Sequence, residues 1–344
     1  MSTAAYGQWP VFGHSRQISI IQRSLEQGTM SHAYVLYGLR GIGKKYFVSC
    51  WLKQLYCETG RVDCVDCSAC QRLAERRHSD VMYLPQEEAS AITIDDVRSI
   101  LHFVSRSSES KLGYKCIILE RAEYLTPEAS NALLKTLEEA PARVLFILLA
   151  QNVNGIIPTI RSRCTLLKLL PLQDSEMRGW LQTMNVPAEQ QDTIMAIAMG
   201  RPGKALELIK DNLQSYQQQI DQGWQLLANR TYDNFYSLKV WLDEIAREVK
   251  KGSSFSAADA SLDRINYLEL ILRDCLLGKI HSNFTLPSIR QTNGVDNLTR
   301  LSVVQLLRIM AALRQLRYTI RQNVNVSLAW EYFFLQINQI KPTA

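Results

Sequence analysis

The stretch Ala33-Tyr-Val-Leu-Tyr-Gly38-Leu-Arg-Gly-Ile-Gly43-Lys44-Lys45 joins an apolar strand to a helical pattern through a glycine-rich loop. In a phosphate-binding loop, glycines let backbone N–H groups converge on phosphates, the helix N-terminus adds positive potential, and a lysine contacts the β- and γ-phosphates. The candidate nucleotide-binding residues are Gly38, Gly41, Gly43 and Lys44. Such loops end in Lys-Ser or Lys-Thr, because a hydroxyl ligates Mg²⁺, and Lys45 offers no oxygen. The loop type is therefore predicted, while nucleotide binding and a ligand-free turn both stay open.

Short apolar strands alternate with helical patterns on both sides of this loop. The candidate strands are Ala33–Tyr37, Val81–Leu84, Lys115–Leu119, Val144–Ala150 and Thr165–Leu169. The candidate helices between them are Gln17–Gln27, Lys44–Cys57, Ile94–Arg106 and Pro127–Glu139. Nearly continuous apolar strands are typical of a sheet covered on both faces. Their alternation with helices predicts an α/β domain with a parallel sheet and right-handed crossovers.

After Pro171 the strand patterns stop and helical patterns follow. Short helices are predicted over Asp174–Met184, Pro187–Met199 and Lys204–Leu213. A buried helical stripe near the end of the chain is predicted from Leu306, Ile309, Met310, Leu313 and Ile320. The polar stretch Lys250–Ala260 and the segment His281–Asn293 are predicted to be loops. The second part of the chain is therefore expected to be all-α.

Composition excludes several classes of protein. The chain has 344 residues, enough for two or three domains, and 47% hydrophobic and 21% charged residues, as in ordinary globular proteins. The longest apolar run, Val144–Ala150, is far shorter than the roughly 18 residues that span a bilayer. Residues 1–12 carry no secretory pattern, so we expect a cytoplasmic protein without membrane contact. The net charge of +6 permits nucleic-acid binding, although the basic residues near the C-terminus favour solvated helix faces over a DNA-binding patch.

Half of the eight cysteines fall in one short window. They are Cys57, Cys64, Cys67 and Cys70. Four thiolates at this spacing match a closed tetrahedral structural zinc site. The alternative is a set of buried or redox-active cysteines, and the absence of a secretion signal favours the metal over disulfides.

An acidic motif expected at a nucleotide-hydrolysing site is altered in the run Ile117-Ile-Leu-Glu120-Arg121-Ala-Glu123. Glu120 could still approach a metal ion. Arg121 stands where a carboxylate would orient the attacking water, and a guanidinium stays protonated and cannot act as a base. Together with Lys45, this change predicts a poor ATPase.

Two arginines precede the last predicted strand in the segment Thr159-Ile-Arg161-Ser-Arg163-Cys164. They are either solvated surface charges or the source of an arginine finger that reaches phosphates held by another subunit. Composition alone favours the first interpretation.

The motifs together resemble the bacterial clamp-loader ATPase family. The matching elements are Ser31-His-Ala-Tyr34, the four-cysteine module, Asn131-Ala-Leu-Leu-Lys-Thr-Leu-Glu-Glu139, Pro158-Thr-Ile-Arg-Ser-Arg-Cys164 and Gly200-Arg-Pro-Gly-Lys-Ala205. They follow the family's order over roughly residues 10–210. The resemblance implies an AAA+ P-loop-like domain over residues 1–170 with a zinc module inserted at 57–70. It further implies a three-helix lid over 171–213 and an all-α collar for oligomerisation over 214–344.

The resemblance also implies a role in DNA replication as a subunit of a DNA polymerase holoenzyme. The partners would be the delta and tau/gamma subunits in a five-membered ring, which opens the sliding clamp and places it on primed DNA. This chain would be a rigid, non-hydrolysing stator, and Arg163 would act in trans to complete the ATP site of a neighbouring tau/gamma subunit. The family's ATPase roles do not carry over to Lys45, Glu120 and Arg121. The alternatives are an active tau/gamma-like ATPase and a free-standing DNA-binding protein that grips phosphates with its C-terminal basic helices.

Overall fold

A computed structural model gives the fold of two compact units, Met1–Asn185 with Ala198–Leu206 and Val186–Ile197 with Glu207–Ala344. The structure describes residues 9–85, 91–108, 113–139, 141–210, 242, 257–280, 301–322 and 324–340. The division into residues 1–170, 171–213 and 214–344 stays a prediction. Among the helices in these described ranges, none is both long enough and apolar enough to cross a bilayer.

The first unit is built on a parallel sheet of five strands in the order β2-β3-β4-β1-β5. The strands are β1 (Ala33–Tyr37), β2 (Val81–Leu84), β3 (Lys115–Leu119), β4 (Val144–Ala150) and β5 (Thr165–Lys168). The central strand β4 is buried at every residue, as expected for a sheet covered on both faces. The predicted α/β class and the parallel sheet are confirmed.

Helices lie before and between the strands, and three more follow β5, one of them largely in the second unit. In chain order they are α1 (Ser15–Glu26), α2 (Lys44–Tyr56), α3 (Ser68–Ala74), α4 (Ile94–Ser105), α5 (Pro127–Glu138), α6 (Pro158–Arg161), α7 (Asp174–Thr183), α8 (Ala188–Ala198) and α9 (Pro202–Lys210). Their starts follow from local chemistry: at α5 the Thr126 hydroxyl accepts the Ala129 N–H, and Pro127 occupies the first turn, where its missing N–H costs nothing. All helices predicted up to residue 210 are present, with ends shifted by a few residues; residues 211–213 of the last predicted helix lie outside the described residues.

The core lies on both faces of the sheet. Because side chains alternate along a strand, Tyr34 and Leu36 of β1 pack with α2 residues such as Trp51 on one face. Val35 packs with residues of α4 and α5, including Leu133, on the other face. Helix α2 therefore packs on one face of the sheet, and α4 and α5 pack on the other.

The carboxyl ends of all five parallel strands meet at one edge of the sheet. Gly38 follows β1, Glu120 follows β3 and Gln151 follows β4. Ligands of open α/β sheets bind at this edge. The candidate nucleotide site therefore lies where the fold class predicts it.

The described part of the second unit after Lys210 is helical. It contains α10 (Ala257–Ile280), α11 (Val303–Arg321) and α12 (Val326–Asn338). In the predicted stripe on α11, Met310 is half-buried, and four positions are buried, namely Leu306, Ile309, Leu313 and Ile320. Helix α10 begins within Lys250–Ala260, so that loop prediction is wrong from Ala257 onward, where closely spaced alanines favour a helix. Residues 250–256 and the predicted loop His281–Asn293 lie outside the described residues.

Candidate functional site

The glycine-rich loop between β1 and α2 packs tightly against the segment Gly200–Ala205. Gly41 has a left-handed backbone with φ of 74°. Its carbonyl accepts a hydrogen bond from the N–H of Gly203 at 2.7 Å. A Cβ on Gly41 would lie 2.9 Å from the backbone nitrogen of Lys204. The Gly-Arg-Pro-Gly motif of the sequence therefore has a local structural use, which is to allow close approach of two backbones.

The loop lysine, Lys44, is bonded to the loop itself. Its Nζ donates to the carbonyl oxygens of Gly38 at 2.7 Å and Leu39 at 3.1 Å. Burial lowers the pKa of Lys44 to about 8; the Glu123 carboxylate opposes this shift and Arg40 adds to it. Two of the three N–H donors of this ammonium group are thus bonded to backbone carbonyls of the loop.

Glu120, the carboxylate that follows β3, is paired with two cations. Lys45 Nζ lies 2.7 Å from Oε2, and an Arg76 terminal nitrogen lies 2.6 Å from Oε1. The Glu120 side chain is only 10% exposed, whereas Lys45 is 57% exposed. Both carboxylate oxygens of Glu120 are therefore bonded to protein cations, with which a metal ion would have to compete. An ammonium group thus bonds the carboxylate from the position where related loops place a hydroxyl.

Arg121 has φ of 59° and turns its guanidinium over the ring of Tyr124, at 4.3 Å from the ring centroid. The next carboxylate along the chain, Glu123, accepts the backbone N–H of Gln151 at 3.0 Å. Burial raises the pKa of Glu123. Arg121 carries no carboxylate, and the Glu123 carboxylate is held by the Gln151 N–H, so neither presents an exposed carboxylate that would orient an attacking water at this edge of the sheet.

The predicted metal ligands are brought together between α2 and α3. The ligand atoms of four cysteines lie within 4.8 Å of one another; they belong to Cys57, Cys64, Cys67 and Cys70. The Sγ atoms of Cys57 and Cys67 are 3.9 Å apart. Tetrahedral zinc with Zn–S bonds of about 2.3 Å separates its sulfurs by about 3.8 Å, so the cluster fits a metal ion such as zinc.

The cysteines of the module differ in acidity: burial raises the pKa of Cys70, whereas backbone hydrogen bonds favour the thiolate of Cys64. Hydrogen bonds from the backbone of Cys67 and Asp66 lower the pKa of Cys64 to about 6. Cys67 also caps α3, since its Sγ accepts the Cys70 N–H at 3.4 Å. His78 is buried and lies outside the cluster; its Nδ1 accepts the Asp80 N–H at 3.2 Å.

The candidate finger Arg163 lies on the turn between α6 and β5. This turn is anchored by the buried Ile160, whose carbonyl accepts the Arg163 N–H at 3.1 Å. One terminal nitrogen of Arg163 lies 2.5 Å from Glu138 Oε1, and the other donates to the Thr159 carbonyl at 3.2 Å. The Arg163 side chain is 39% exposed. The residue thus combines a fixed backbone with an accessible cationic tip.

Three residues of this arrangement received no role from the sequence. They are Arg76, which pairs with Glu120, Glu138, which pairs with Arg163, and Gly203, which bonds the loop. Gly203 and Glu138 lie within motifs that carried the family resemblance, but nothing in the motifs identified their partners. Arg76 lies 44 residues before Glu120, and no local pattern marks it.

Comparison with known proteins gives a family match that includes the glycine-rich loop, the cysteine module and Arg163. Residues 13–173 match the family described as DNA polymerase III, delta subunit. The chain is 35% identical over 199 residues to the DNA polymerase III subunit delta' of Pseudomonas aeruginosa, covering 56% of this chain and 60% of that protein. It is 27% identical over 315 residues to the delta' subunit of Haemophilus influenzae, covering 90% of each.

Subunits of DNA polymerase III named gamma and tau are also similar. The tau subunit of Bacillus subtilis is 36% identical over 156 residues, covering 45% of this chain and 27% of that protein. The chain thus spans about a quarter of this tau subunit and 60% of the Pseudomonas delta' subunit. The chain is therefore similar to subunits of DNA polymerase III, and its similarity to the delta' subunit of Haemophilus influenzae extends over 90% of the chain.

Proposed function

We propose that this chain is the non-hydrolysing delta prime subunit of a DNA clamp loader that acts in DNA replication. Its partners in this proposal are the delta and tau/gamma subunits of a five-membered ring. The ring opens the sliding clamp and places it on primed DNA. The proposal rests on the similarity to delta prime subunits together with one structural observation, the pairing of Lys45 with Glu120 at 2.7 Å.

This pairing argues against ATP hydrolysis at the chain's own loop. Hydrolysis in related proteins needs a hydroxyl and a carboxylate around Mg²⁺ and a group that orients water. Here Lys45 lacks a hydroxyl and bonds Glu120, while Arg121 stays protonated. The similarity to tau is consistent with a shared fold, but these three side chains do not supply tau-like hydrolysis.

In the proposal Arg163 serves as an arginine finger for the neighbouring tau/gamma subunit. A finger stabilises the negative charge that develops on the transferring phosphoryl group. Arg163 suits this role because its backbone is bonded to the buried Ile160 while its guanidinium remains 39% exposed. The planar, permanently charged guanidinium can bond two phosphate oxygens at once.

We also propose that the cysteine module holds one zinc ion with a structural role. Its ligands would be Cys57, Cys64, Cys67 and Cys70. Bound zinc would cross-link the ends of this short excursion and supply no catalytic chemistry, because four thiolates leave no open coordination position.

Steady-state ATP turnover tests the proposed function. We expect no turnover by the isolated chain; turnover comparable to that of a tau/gamma subunit would favour the tau-like alternative. In the reconstituted ring, Arg163→Ala should leave assembly intact and reduce DNA- and clamp-stimulated turnover. A finger contributes on the order of 10³-fold at one site, and the loss is smaller in a ring whose other sites are intact. Arg161→Ala is the matched control, since Arg161 is bonded to Asn154 at 3.0 Å and has no assigned role in the proposal. Equal turnover by wild-type and Arg163→Ala rings would refute the finger.

A further inference from the structure

We infer that Glu138 is a positioning residue for Arg163. Its carboxylate holds the guanidinium at the surface before the neighbouring subunit docks, so that the side chain is already oriented when it meets the phosphates. This inference rests on the proposed role of Arg163.

The geometry restrains both partners. Glu138 is the last residue of α5, and the residue before it, Leu137, is buried in the same core cluster as Ile160 of α6. Packing therefore fixes the end of α5 relative to α6 and the turn that follows it. From these anchors, Glu138 Oε1 and an Arg163 terminal nitrogen meet at 2.5 Å.

The contact leaves the guanidinium free to bind a second anion. A guanidinium has five N–H donors in a planar fork. In the structure one terminal nitrogen faces Glu138 and the other faces the Thr159 carbonyl, and the remaining donors and the exposed edge are available. Binding of phosphate oxygens by Arg163 is thus compatible with the contact to Glu138.

Ordering the Arg163 side chain before the subunits meet would increase the rate of ATP turnover at the neighbouring site. An unrestrained arginine samples many rotamers, and fixing it during the reaction costs entropy. A carboxylate that fixes the guanidinium beforehand removes part of this cost. Arg161, by contrast, is held by the neutral amide of Asn154. The charged partner thus distinguishes Arg163 from its basic neighbour.

The test is DNA- and clamp-stimulated ATP turnover by the ring reconstituted with Glu138→Ala. We expect kcat to fall about two- to fivefold, the range for losing an exposed ion pair, with KM for ATP unchanged. Glu138→Gln should recover part of the loss, because its amide oxygen still accepts from the guanidinium. Glu139→Ala removes the adjacent exposed carboxylate and should leave turnover at the wild-type value. In an Arg163→Ala background, Glu138→Ala should have no further effect.

The possible results distinguish failure of the positioning role of Glu138 from failure of the proposed finger Arg163. If Arg163→Ala reduces turnover and Glu138→Ala does not, or increases it, the positioning role is wrong. If Glu138→Ala reduces turnover equally with and without Arg163, Glu138 acts through something else and the inference again fails. If Arg163→Ala itself has no effect, the proposed finger fails instead. Assembly and thermal unfolding of the Glu138 variants should match wild type, and loss of assembly by both Glu138→Ala and Glu138→Gln would show a structural role.

Discussion

Gly41→Ala perturbs the contact between the glycine-rich loop and the Gly200–Ala205 segment. The backbone at Gly41 has φ of 74°, and an added Cβ would lie 2.9 Å from the Lys204 nitrogen. Such a distance to a backbone atom requires the two segments to separate. Separation would break the hydrogen bond from the Gly203 N–H to the Gly41 carbonyl, now 2.7 Å long.

The expected loss of stability has two contributions. A left-handed backbone costs an L-residue about 1–2 kcal/mol. Losing the Gly203 hydrogen bond adds about 0.5–1.5 kcal/mol, so Gly41→Ala should reduce the free energy of unfolding by about 1.5–3.5 kcal/mol. Gly28→Ala is the matched control, because Gly28 has a similar φ of 65° and nothing within 4 Å of its added Cβ. The control should show only the backbone contribution.

Urea denaturation followed by tryptophan fluorescence measures the difference, since Trp51 is fully buried in the core of this unit. We expect Gly41→Ala to be less stable than Gly28→Ala by about 0.5–1.5 kcal/mol, the contribution of the hydrogen bond. Equal losses for the two variants would show that close approach of the segments is not what requires glycine at position 41.

Further outcomes follow from the other parts of the site. Cys67→Ala should abolish zinc binding, measured by elemental analysis of protein purified without chelator; wild-type protein lacking zinc would contradict the cluster's proposed role. Lys44→Ala should leave clamp loading by the ring nearly unchanged, and a large loss in an assembled ring would show that the loop is functional. The pKa of Lys44 is about 8 in the folded chain, against an ordinary value of 10.5. Between these two pH values the unfolded chain binds more protons than the folded chain, so the free energy of unfolding should rise with pH. Lys44→Met should flatten this rise, measured by urea denaturation at several pH values. Lys45→Thr should not produce ATP turnover in the isolated chain, because Arg76 still pairs with Glu120.

Much of the fold could be predicted because its signals are local. Val144–Ala150 is an unbroken apolar run, and the structure buries all of it at the centre of the sheet. The glycine-rich loop required a strand before it and a helix after it, and both are present. The four clustered cysteines are close in sequence, so a short excursion of the chain suffices to bring them together. In each case neighbouring residues carry the information.

The side-chain partners could not be predicted, because they depend on how distant segments pack. Nothing in the sequence indicated that Arg76 pairs with Glu120; Arg76 follows α3 and is brought to Glu120 where β2 and β3 pair in the sheet. No acidic residue lies within ten positions of Arg163 in the sequence, and only the packing of α5 against α6 brings Glu138 to it. The start of α10 was missed for a different reason, since the charged and polar character of its surroundings outweighed the helix propensity of its alanines.

The changes at the nucleotide site are coupled rather than independent. A lysine at position 45 removes a hydroxyl and, in the same step, places a positive charge 2.7 Å from Glu120. A mostly buried carboxylate requires compensation, and Lys45 and Arg76 provide it without a bound metal. The charge of Glu120 is therefore neutralised by the protein itself. On this argument Glu120 is part of an ion-pair network that joins Lys45 at the end of the glycine-rich loop to Arg76 after α3, and its presence is not a sign of ATP hydrolysis.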